Sequence, residues 1–266
     1  MYVDVHAHLF HPRFAGEEDA VATRAAEAGL EAVIVNGLEP VSNRATLELC
    51  GRHDHLLPAL GIYPVDACCN AIDPGAWSNP FAPPAIFDVD AEIAYIDSVA
   101  ADIFAVGECG LDHHWVSSEE ARAEQERVLR LLCEVAIRHD KAVILHSRKA
   151  ERRTFEIIKE MGVVKADFHC FGGRSKLAVE IAQCGYYFSI PPVVERSSAF
   201  QSLARKLPLD RILTETDAPY MSPDKGERNE PANVPRGVAA IAAARGQDVA
   251  TIKAAVHKNF CTLFGH

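Results

Sequence analysis

The chain has 266 residues, of which 48% are hydrophobic and 24% are charged. This composition is typical of a folded globular protein, and the lack of an apolar run of about 18 residues excludes a membrane span. With 27 basic and 37 acidic residues the net charge is −10, which excludes nucleic-acid binding through a broad basic surface. A phosphate-rich ligand must therefore be held at a local positive site.

The first residues carry no basic segment followed by an apolar one, so we expect no signal peptide, a cytoplasmic location and no membrane partner. The eight cysteines lie in a long chain and include no C-x-x-C pair. We therefore expect reduced thiols rather than disulfides or a zinc knuckle.

Short apolar runs recur along the chain with helical stretches between them. They predict strands at residues 2–6, 30–35, 56–63, 103–108, 142–146, 166–170, 186–190 and 212–217. The clearest intervening helix is 119–139, whose apolar residues follow the spacing of a one-sided helix. Apolar strands that alternate with such helices indicate a parallel sheet covered by helices. Eight strands predict an α/β fold of the (β/α)8 TIM-barrel class, with a doubly wound open sheet as the alternative.

We predict a single domain over residues 1–266 that contains one unusual segment at about residues 64–87. Besides Trp77 and Phe81, this segment contains five prolines: Pro64, Pro74, Pro80, Pro83 and Pro84. Prolines at this density predict an irregular loop, here at the carboxyl ends of the strands, where barrel active sites form. This proline-rich loop is either a substrate lid or a contact surface for a protein partner.

Histidines and carboxylates follow several of the predicted strands. His6 and His8 form an H-x-H pair at the end of the first strand, and side-chain alternation places both on one face. The fourth, fifth, sixth and eighth strands end at or near further candidates: Glu108, His146, His169 and Asp217. In a parallel barrel all these ends lie on one rim, so the six side chains converge.

Six converging ligands predict a metal site. They are too many for one tetrahedral zinc with an open position, but they suit two divalent ions that share a carboxylate. Glu108 is the natural bridge, because it lies between the two histidine pairs. Imidazole and carboxylate ligands suit Zn²⁺ or Mn²⁺, and the carboxylates also suit Mg²⁺.

The same residues lie in blocks that resemble those of the TatD family, metal-dependent deoxyribonucleases of the amidohydrolase-like barrel superfamily. The blocks are VDVHAH at 3–8, GECGLD at 107–112, LHSR at 145–148, HCFGG at 169–173, ETDAPY at 215–220, NEPANVP at 229–235 and NFCTLFG at 259–265. They span nearly the whole chain. The resemblance implies two groups of metal ligands: His6, His8, Glu108 and Asp217 for one ion, and Glu108, His146 and His169 for the other.

The chain departs from the TatD pattern after the third strand. The family usually has Gly-x-His-Pro there, with the histidine beside the substrate phosphate, whereas this chain has GIYP at 61–64. Tyr63 is therefore a candidate substrate-binding residue that can donate a hydrogen bond but cannot carry a proton near neutral pH as imidazole can. The proline-rich loop is also longer than is usual in the family. Both changes bear on substrate choice more than on the metal site.

Phosphodiester hydrolysis needs an activated water, neutralised phosphoryl oxygens and a stabilised leaving group, which two metal ions can supply. Asp217 is the candidate general base, with a purely structural ligand as the alternative. Arg148 and Arg174 are candidate phosphate-binding residues, because the guanidinium group matches phosphate oxygens. Trp115 and Tyr220 either stack on bases or pack at the rim.

We therefore predict a metal-dependent hydrolase, and the family resemblance implies a deoxyribonuclease that removes nucleotides from the 3′ end of DNA. One alternative is a two-metal hydrolase of a small ester, lactone or amide, since the same barrel site serves such chemistry. Another is a subunit with a structural metal site whose proline-rich loop binds a protein partner. Asp4 and Glu215 each lie two residues from a candidate ligand, and we expect them to orient imidazoles or basic groups.

Overall fold

The structure is a computed structural model that describes residues 1–265, so His266, the last residue of the predicted domain, lies outside it. The strands in this range are β1 (Tyr2–Ala7), β2 (Leu30–Asn36), β3 (Leu56–Leu60), β4 (Ala105–Asp112), β5 (Ala142–Arg148), β6 (Ala166–Phe168), β7 (Tyr187–Ile190) and β8 (Ile212–Thr214). They form one eight-stranded sheet in chain order, and each strand pairs in parallel with the next.

Helices follow the strands on the outside of the sheet. The α-helices are α1 (Glu18–Glu27), α2 (Pro40–Cys50), α3 (Pro64–Ala67), α4 (Val89–Ser98), α5 (Glu119–Arg138), α6 (Glu151–Glu160), α7 (Ser175–Gln183), α8 (Ser198–Lys206), α9 (Val234–Arg245) and α10 (Val249–Phe264). Short 3-10 helices cover Pro12–Phe14, Cys69–Ala71, Pro74–Ala76, Pro192–Glu195, Leu209–Arg211 and Pro231–Asn233. Within residues 1–265, no helix combines the length and the apolar sequence needed to cross a bilayer.

The sheet closes between its first and last strands. An isolated bridge joins Ala7 to Ala218, and the backbone N–H groups of His8 and Asp217 donate to Ala218 and His6, each over 2.8 Å. Every residue of β4, β6, β7 and β8 is buried, as expected for strands that have side chains inside the barrel and helices outside it. The predicted (β/α)8 TIM barrel is therefore confirmed.

Several strand limits differ from the prediction. The fourth strand does not end at Glu108 but continues to Asp112, whereas the third ends at Leu60. The sixth and eighth strands are short, and the backbone takes a positive φ at Cys170 (44°) and Asp217 (53°). A residue in this left-handed region cannot continue a strand. The chain therefore turns over the barrel mouth at these two positions.

Two glycines allow the strands around Glu108 to approach each other closely. A Cβ on Gly110, whose φ is +144°, would lie 2.0 Å from the carbonyl oxygen of His146. A Cβ on Gly61 would lie 2.3 Å from the carbonyl oxygen of Glu108. Both positions therefore require glycine, and both fix the backbone next to a candidate ligand.

The proline-rich loop is more ordered than predicted in its first half. Pro64 and Pro74 each begin a short helix and a third covers Cys69–Ala71, so the prediction of an irregular chain is wrong for residues 64–67, 69–71 and 74–76. The physical reason is that the first turn of a helix needs no N–H from its first residue, and proline already has a helical φ. Residues 77–87 contain no helix or strand, as predicted.

Candidate metal centre

The mouth of the barrel brings together all six side chains that the sequence predicts as metal ligands: His6, His8, Glu108, His146, His169 and Asp217. His6 and His146 lie on β1 and β5, and Glu108 lies on β4. The other three follow the ends of β1, β6 and β8. Four of the six are buried, and His146 and Asp217 are partly exposed.

Glu108 lies at the centre of this group. Its Oε1 is 2.8 Å from His146 Nδ1 and 3.0 Å from His169 Nε2. Its Oε2 is 3.4 Å from the Nε2 atoms of both His6 and His8. One carboxylate oxygen therefore faces each pair of histidines, which is the arrangement of a carboxylate shared between two ions.

The pair formed by His6 and His8 fits a cation. Their Nε2 atoms are only 3.1 Å apart, and Asp217 Oδ1 lies 3.9 Å from the first and 3.6 Å from the second. Two imidazole lone pairs at this distance repel each other unless a proton or a metal ion lies between them. Nitrogen and carboxylate oxygen are also the donors that zinc and manganese accept.

In His8 and His146, the ring nitrogen that points away from Glu108 already has a hydrogen-bond partner. His8 Nδ1 is 2.9 Å from the carbonyl oxygen of Asn36, and His146 Nε2 is 2.9 Å from Asp112 Oδ2. A carbonyl or carboxylate oxygen only accepts, so each of these nitrogens carries a hydrogen. His8 Nε2 and His146 Nδ1 therefore face the centre of the site and are left for a proton or a metal ion.

Asp112 has a position that no sequence-based prediction assigned to it. Its Oδ1 accepts hydrogen bonds from the backbone N–H groups of His114 (2.8 Å) and Trp115 (2.9 Å). Its Oδ2 contacts His146 and accepts a 3.4 Å hydrogen bond from the Tyr63 hydroxyl. Side-chain alternation could have found it, since it lies four positions after the candidate bridge on the same strand and on the same face.

Tyr63 follows β3 and lies against the second histidine pair. Its ring is nearly perpendicular to the His146 ring, with centroids 5.0 Å apart. Burial and the charge of Asp112 raise the pKa of the Tyr63 hydroxyl well above its usual value. The hydroxyl therefore remains a hydrogen-bond donor at neutral pH and cannot act as a base there.

The charges of the site hold both carboxylates ionised. Burial would raise the pKa of Glu108, but the charge of His169 and hydrogen bonds with His146 and His169 lower it well below its usual value. The pKa of Asp217 is lowered in the same way by its contact with His8. Burial would lower the pKa of His8, but its contacts with Asp217 and Glu108 raise it to about 10. Protons on histidine thus balance the carboxylates, and metal cations would replace those protons.

Glu215 supports His169 from behind. Its Oε2 lies 3.5 Å from His169 Nδ1, as expected, and its Oε1 accepts a 2.8 Å hydrogen bond from the Cys170 N–H. The Ser189 hydroxyl lies 2.7 Å from both Glu215 and Asp167. One hydroxyl has one hydrogen, so the second short contact requires a protonated carboxyl group. Burial raises the pKa of Asp167 and of Glu215 to about 7, in agreement with this shared proton.

Asp4 makes different contacts from those expected. It accepts hydrogen bonds from the backbone N–H of His6 (3.1 Å) and from the N–H (2.9 Å) and hydroxyl (2.5 Å) of Thr216. These bonds tie β1 to the segment after β8 instead of orienting an imidazole ring. Asp4 therefore fixes the backbone that carries His6 and Asp217.

A cleft over the candidate ligands divides into two lobes that share His146, Arg148, His169 and Asp217. The first lobe, of about 370 Å³, is also lined by Cys170, Gly172, Phe200 and Met221. The second, of about 380 Å³, is here named the aromatic lobe because its lining includes Tyr63, Phe81, Trp115 and Tyr220. Both volumes are in the range of small-ligand sites.

The two arginines predicted to bind phosphate have different positions. The guanidinium carbon of Arg148 lies 4.9 Å from the ring centroid of Trp115, and Arg148 lines both lobes. Arg174 is exposed immediately before α7 and is not among the described residues that line either lobe.

Comparison with known proteins identifies the family. Residues 3–265 match the family model described as TatD related DNase. The chain is 32% identical to the human protein named Deoxyribonuclease TATDN3, over 98% of this chain and 94% of the relative. It is 28% identical to a protein of Klebsiella pneumoniae named 3'-5' ssDNA/RNA exonuclease TatD, over 98% of this chain and 97% of the relative.

A solved structure agrees with this assignment. The crystal structure of YJJV, a TatD homologue from Escherichia coli K12, superposes with a TM-score of 0.83 and 28% identity, and covers 100% of this chain and 98% of that one. The family resemblance predicted from the sequence blocks is thus confirmed. This chain belongs to the TatD-related DNase family.

Proposed function

We propose that this protein is a metal-dependent deoxyribonuclease that hydrolyses phosphodiester bonds from the 3′ end of single-stranded DNA. The observation that carries this proposal is Glu108, each of whose carboxylate oxygens faces a different pair of histidine nitrogens. The names of the human and Klebsiella pneumoniae relatives support the substrate and the direction of cleavage. The proposed single domain, residues 1–266, accords with a barrel and helices that extend from Tyr2 to Phe264.

The ligand set supports two divalent ions. One would be held by His6, His8, Glu108 and Asp217, and the other by Glu108, His146 and His169. Among the described residues, three groups have closely spaced ligand atoms; the two that include Glu108 fit this division, and the third consists of His6, His169 and Glu215. When bound, divalent ions neutralise phosphoryl oxygens and lower the pKa of water towards about 7. Imidazole and carboxylate donors favour Mn²⁺ or Zn²⁺, with Mg²⁺ as the third candidate.

Asp217 is the proposed general base. Its side chain is 14% exposed, whereas that of His6 is fully buried, so water in the cleft can reach Asp217. Burial raises the pKa of Asp217, but the contact with His8 and the charges of the nearby histidines outweigh burial and lower it. The carboxylate is therefore ionised at neutral pH and can accept a proton from water.

Arg148 and Tyr63 are the proposed substrate-binding residues of the cleft. Arg148 is exposed in both lobes, and its guanidinium can pair with phosphate oxygens on either side of the centre. Tyr63 lies against His146, and its hydroxyl would donate to a phosphate in place of its long hydrogen bond to Asp112. Arg174 could contact only a part of the DNA that extends beyond the cleft. This local positive charge would attract DNA to the mouth of a chain whose net charge is −10.

The test is an exonuclease assay on protein stripped of metal and then reconstituted. We expect labelled single-stranded DNA to lose mononucleotides from its 3′ end with Mg²⁺, Mn²⁺ or Zn²⁺, and to stay intact with chelator. Glu108→Gln should abolish release, whereas the exposed Glu227→Gln should not change it. Absence of release with every metal, from protein that has bound metal, would contradict the proposal.

A further inference from the structure

We propose that the aromatic lobe is a nucleobase-binding subsite, in which the exposed ring of Phe81 stacks on a base of the DNA strand held at the metal centre and Trp115 supports Phe81 from the side. This inference rests on the proposed nuclease function and adds a determinant of substrate choice to it. The lobe includes Glu108 and His146 in its lining, so a base in it and a phosphate at the candidate ligands occupy one continuous cavity of about 380 Å³.

Two aromatic residues of the lobe are exposed. Phe81 is 40% exposed and Tyr220 is 49% exposed, although both are large aromatic residues on the wall of a cleft. The rings of Phe81 and Trp115 are perpendicular, with centroids 5.0 Å apart. Exposed aromatic rings beside a site for phosphate are the surfaces on which the bases of single-stranded nucleic acids stack.

Hydrogen bonds hold the segments that carry Phe81 and Trp115 in place. The Trp77 indole N–H donates to the Phe81 carbonyl oxygen over 2.7 Å, and the Asn79 amide donates to the Trp115 carbonyl oxygen over 3.1 Å. The backbone of Trp115 is also fixed, because its N–H donates to Asp112 Oδ1 over 2.9 Å. The rings are therefore positioned before substrate arrives, which lowers the entropy cost of binding.

The charge of the lobe also fits a nucleotide. Arg148 is the one lysine or arginine among the described residues that line the aromatic lobe, and it lies over the Trp115 ring. A nucleotide offers a flat base next to an anionic phosphate, and the lobe offers flat rings next to a guanidinium and the metal ligands. A small ester with neither a ring nor a phosphate would use none of these contacts. The lobe therefore selects a planar, anionic substrate.

The test compares two single-stranded substrates with the same phosphates: a short thymidine oligonucleotide and a matched strand of abasic tetrahydrofuran residues. We expect metal-loaded wild-type protein to cleave the thymidine strand with a kcat/KM at least about tenfold higher, as stacking on a base provides. Phe81→Ala should remove this preference and leave cleavage of the abasic strand unchanged. Phe81→Tyr should keep the preference, because it keeps the ring.

The matched control is Ile86→Ala, which removes another exposed apolar side chain of the same loop that is not among the residues lining the lobe. It should leave both substrates unaffected. If Phe81→Ala lowers kcat/KM equally on both strands, or leaves the preference for the thymidine strand unchanged, the subsite proposal is wrong. The proposed nuclease function would not be affected by that result. Protein that cleaves neither strand would contradict the proposed nuclease, and the subsite with it.

Discussion

The metal centre and the aromatic lobe share one cleft but are built differently. The candidate ligands lie on strands or within a few residues of a strand end, and most are buried. Phe81, in contrast, lies in a loop segment without regular structure and is 40% exposed. The sheet therefore positions the groups that would act on any phosphodiester, whereas the loops determine which substrate is held beside the metal centre.

The largest expected effect comes from the residue that joins both halves of the metal centre. Glu108→Ala should lose both ions and all measurable exonuclease activity, because neither histidine pair keeps a carboxylate bridge. Metal content by mass spectrometry, together with thermal unfolding to confirm folding, measures this. A folded variant that retains two ions per chain would show that Glu108 does not hold them.

Asp217→Asn separates metal binding from proton transfer. Asparagine keeps the shape and one coordinating oxygen but cannot accept a proton, so we expect kcat to fall by at least about a hundredfold. The melting temperature should change little. Turnover close to that of the wild type would mean that Asp217 acts only as a ligand.

Asp112→Asn tests the residue that links the metal centre to the aromatic lobe. An amide NH₂ facing His146 Nε2 would force the imidazole hydrogen onto Nδ1, where it points at Glu108. We expect the affinity for one of the two ions to fall about 10- to 100-fold. Calorimetric titration with Mn²⁺ measures this, and two unchanged binding steps would contradict the positioning role.

The pH dependence of metal binding follows from the charge balance of the centre. The pKa of His8 is raised to about 10, so His8 carries a proton at neutral pH before metal binds. Metal must displace this proton, and affinity should therefore increase with pH, by about tenfold per unit for each proton released. Calorimetry in two buffers of different ionisation enthalpy counts these protons. Binding without proton release would show that the histidines are already neutral.

The smallest effect is expected at Tyr63. Tyr63→Phe removes one 3.4 Å hydrogen bond to Asp112 and keeps the ring against His146, so we expect a loss in kcat/KM of about two- to tenfold. Initial rates on a thymidine strand and on its abasic counterpart should fall equally. A loss confined to the thymidine strand would place Tyr63 with Phe81 as a base-binding residue.

The barrel and its ligand set could be predicted because they depend on local patterns. Apolar runs predict the strands. Because the carboxyl ends of all strands lie on one rim of the barrel, an H-x-H pair and carboxylates near strand ends are expected to lie close together. His169 and Asp217 show the limit of that reasoning. Both lie beyond shorter strands than predicted, on turns where φ at Cys170 and Asp217 is positive. The backbone geometry of these turns has no clear signal in one sequence.

Hydrogen-bond partners that depend on strand register or loop conformation could not be predicted. The role of Asp112 depends on which nitrogen of His146 faces it, and that is set by the register of β4 against β5. The position of Phe81 depends on the Trp77 and Asn79 hydrogen bonds within an irregular loop. Such long-range polar contacts follow from the assembled fold and not from periodicity.

The central claim is that two divalent ions share Glu108, and anomalous diffraction from crystals grown with Mn²⁺ tests it most directly. We expect two anomalous peaks in the mouth of the barrel, one against His6 and His8 and one against His146 and His169, with an oxygen of Glu108 coordinating each. A single peak, or two peaks of which either lies out of reach of Glu108, would contradict the claim.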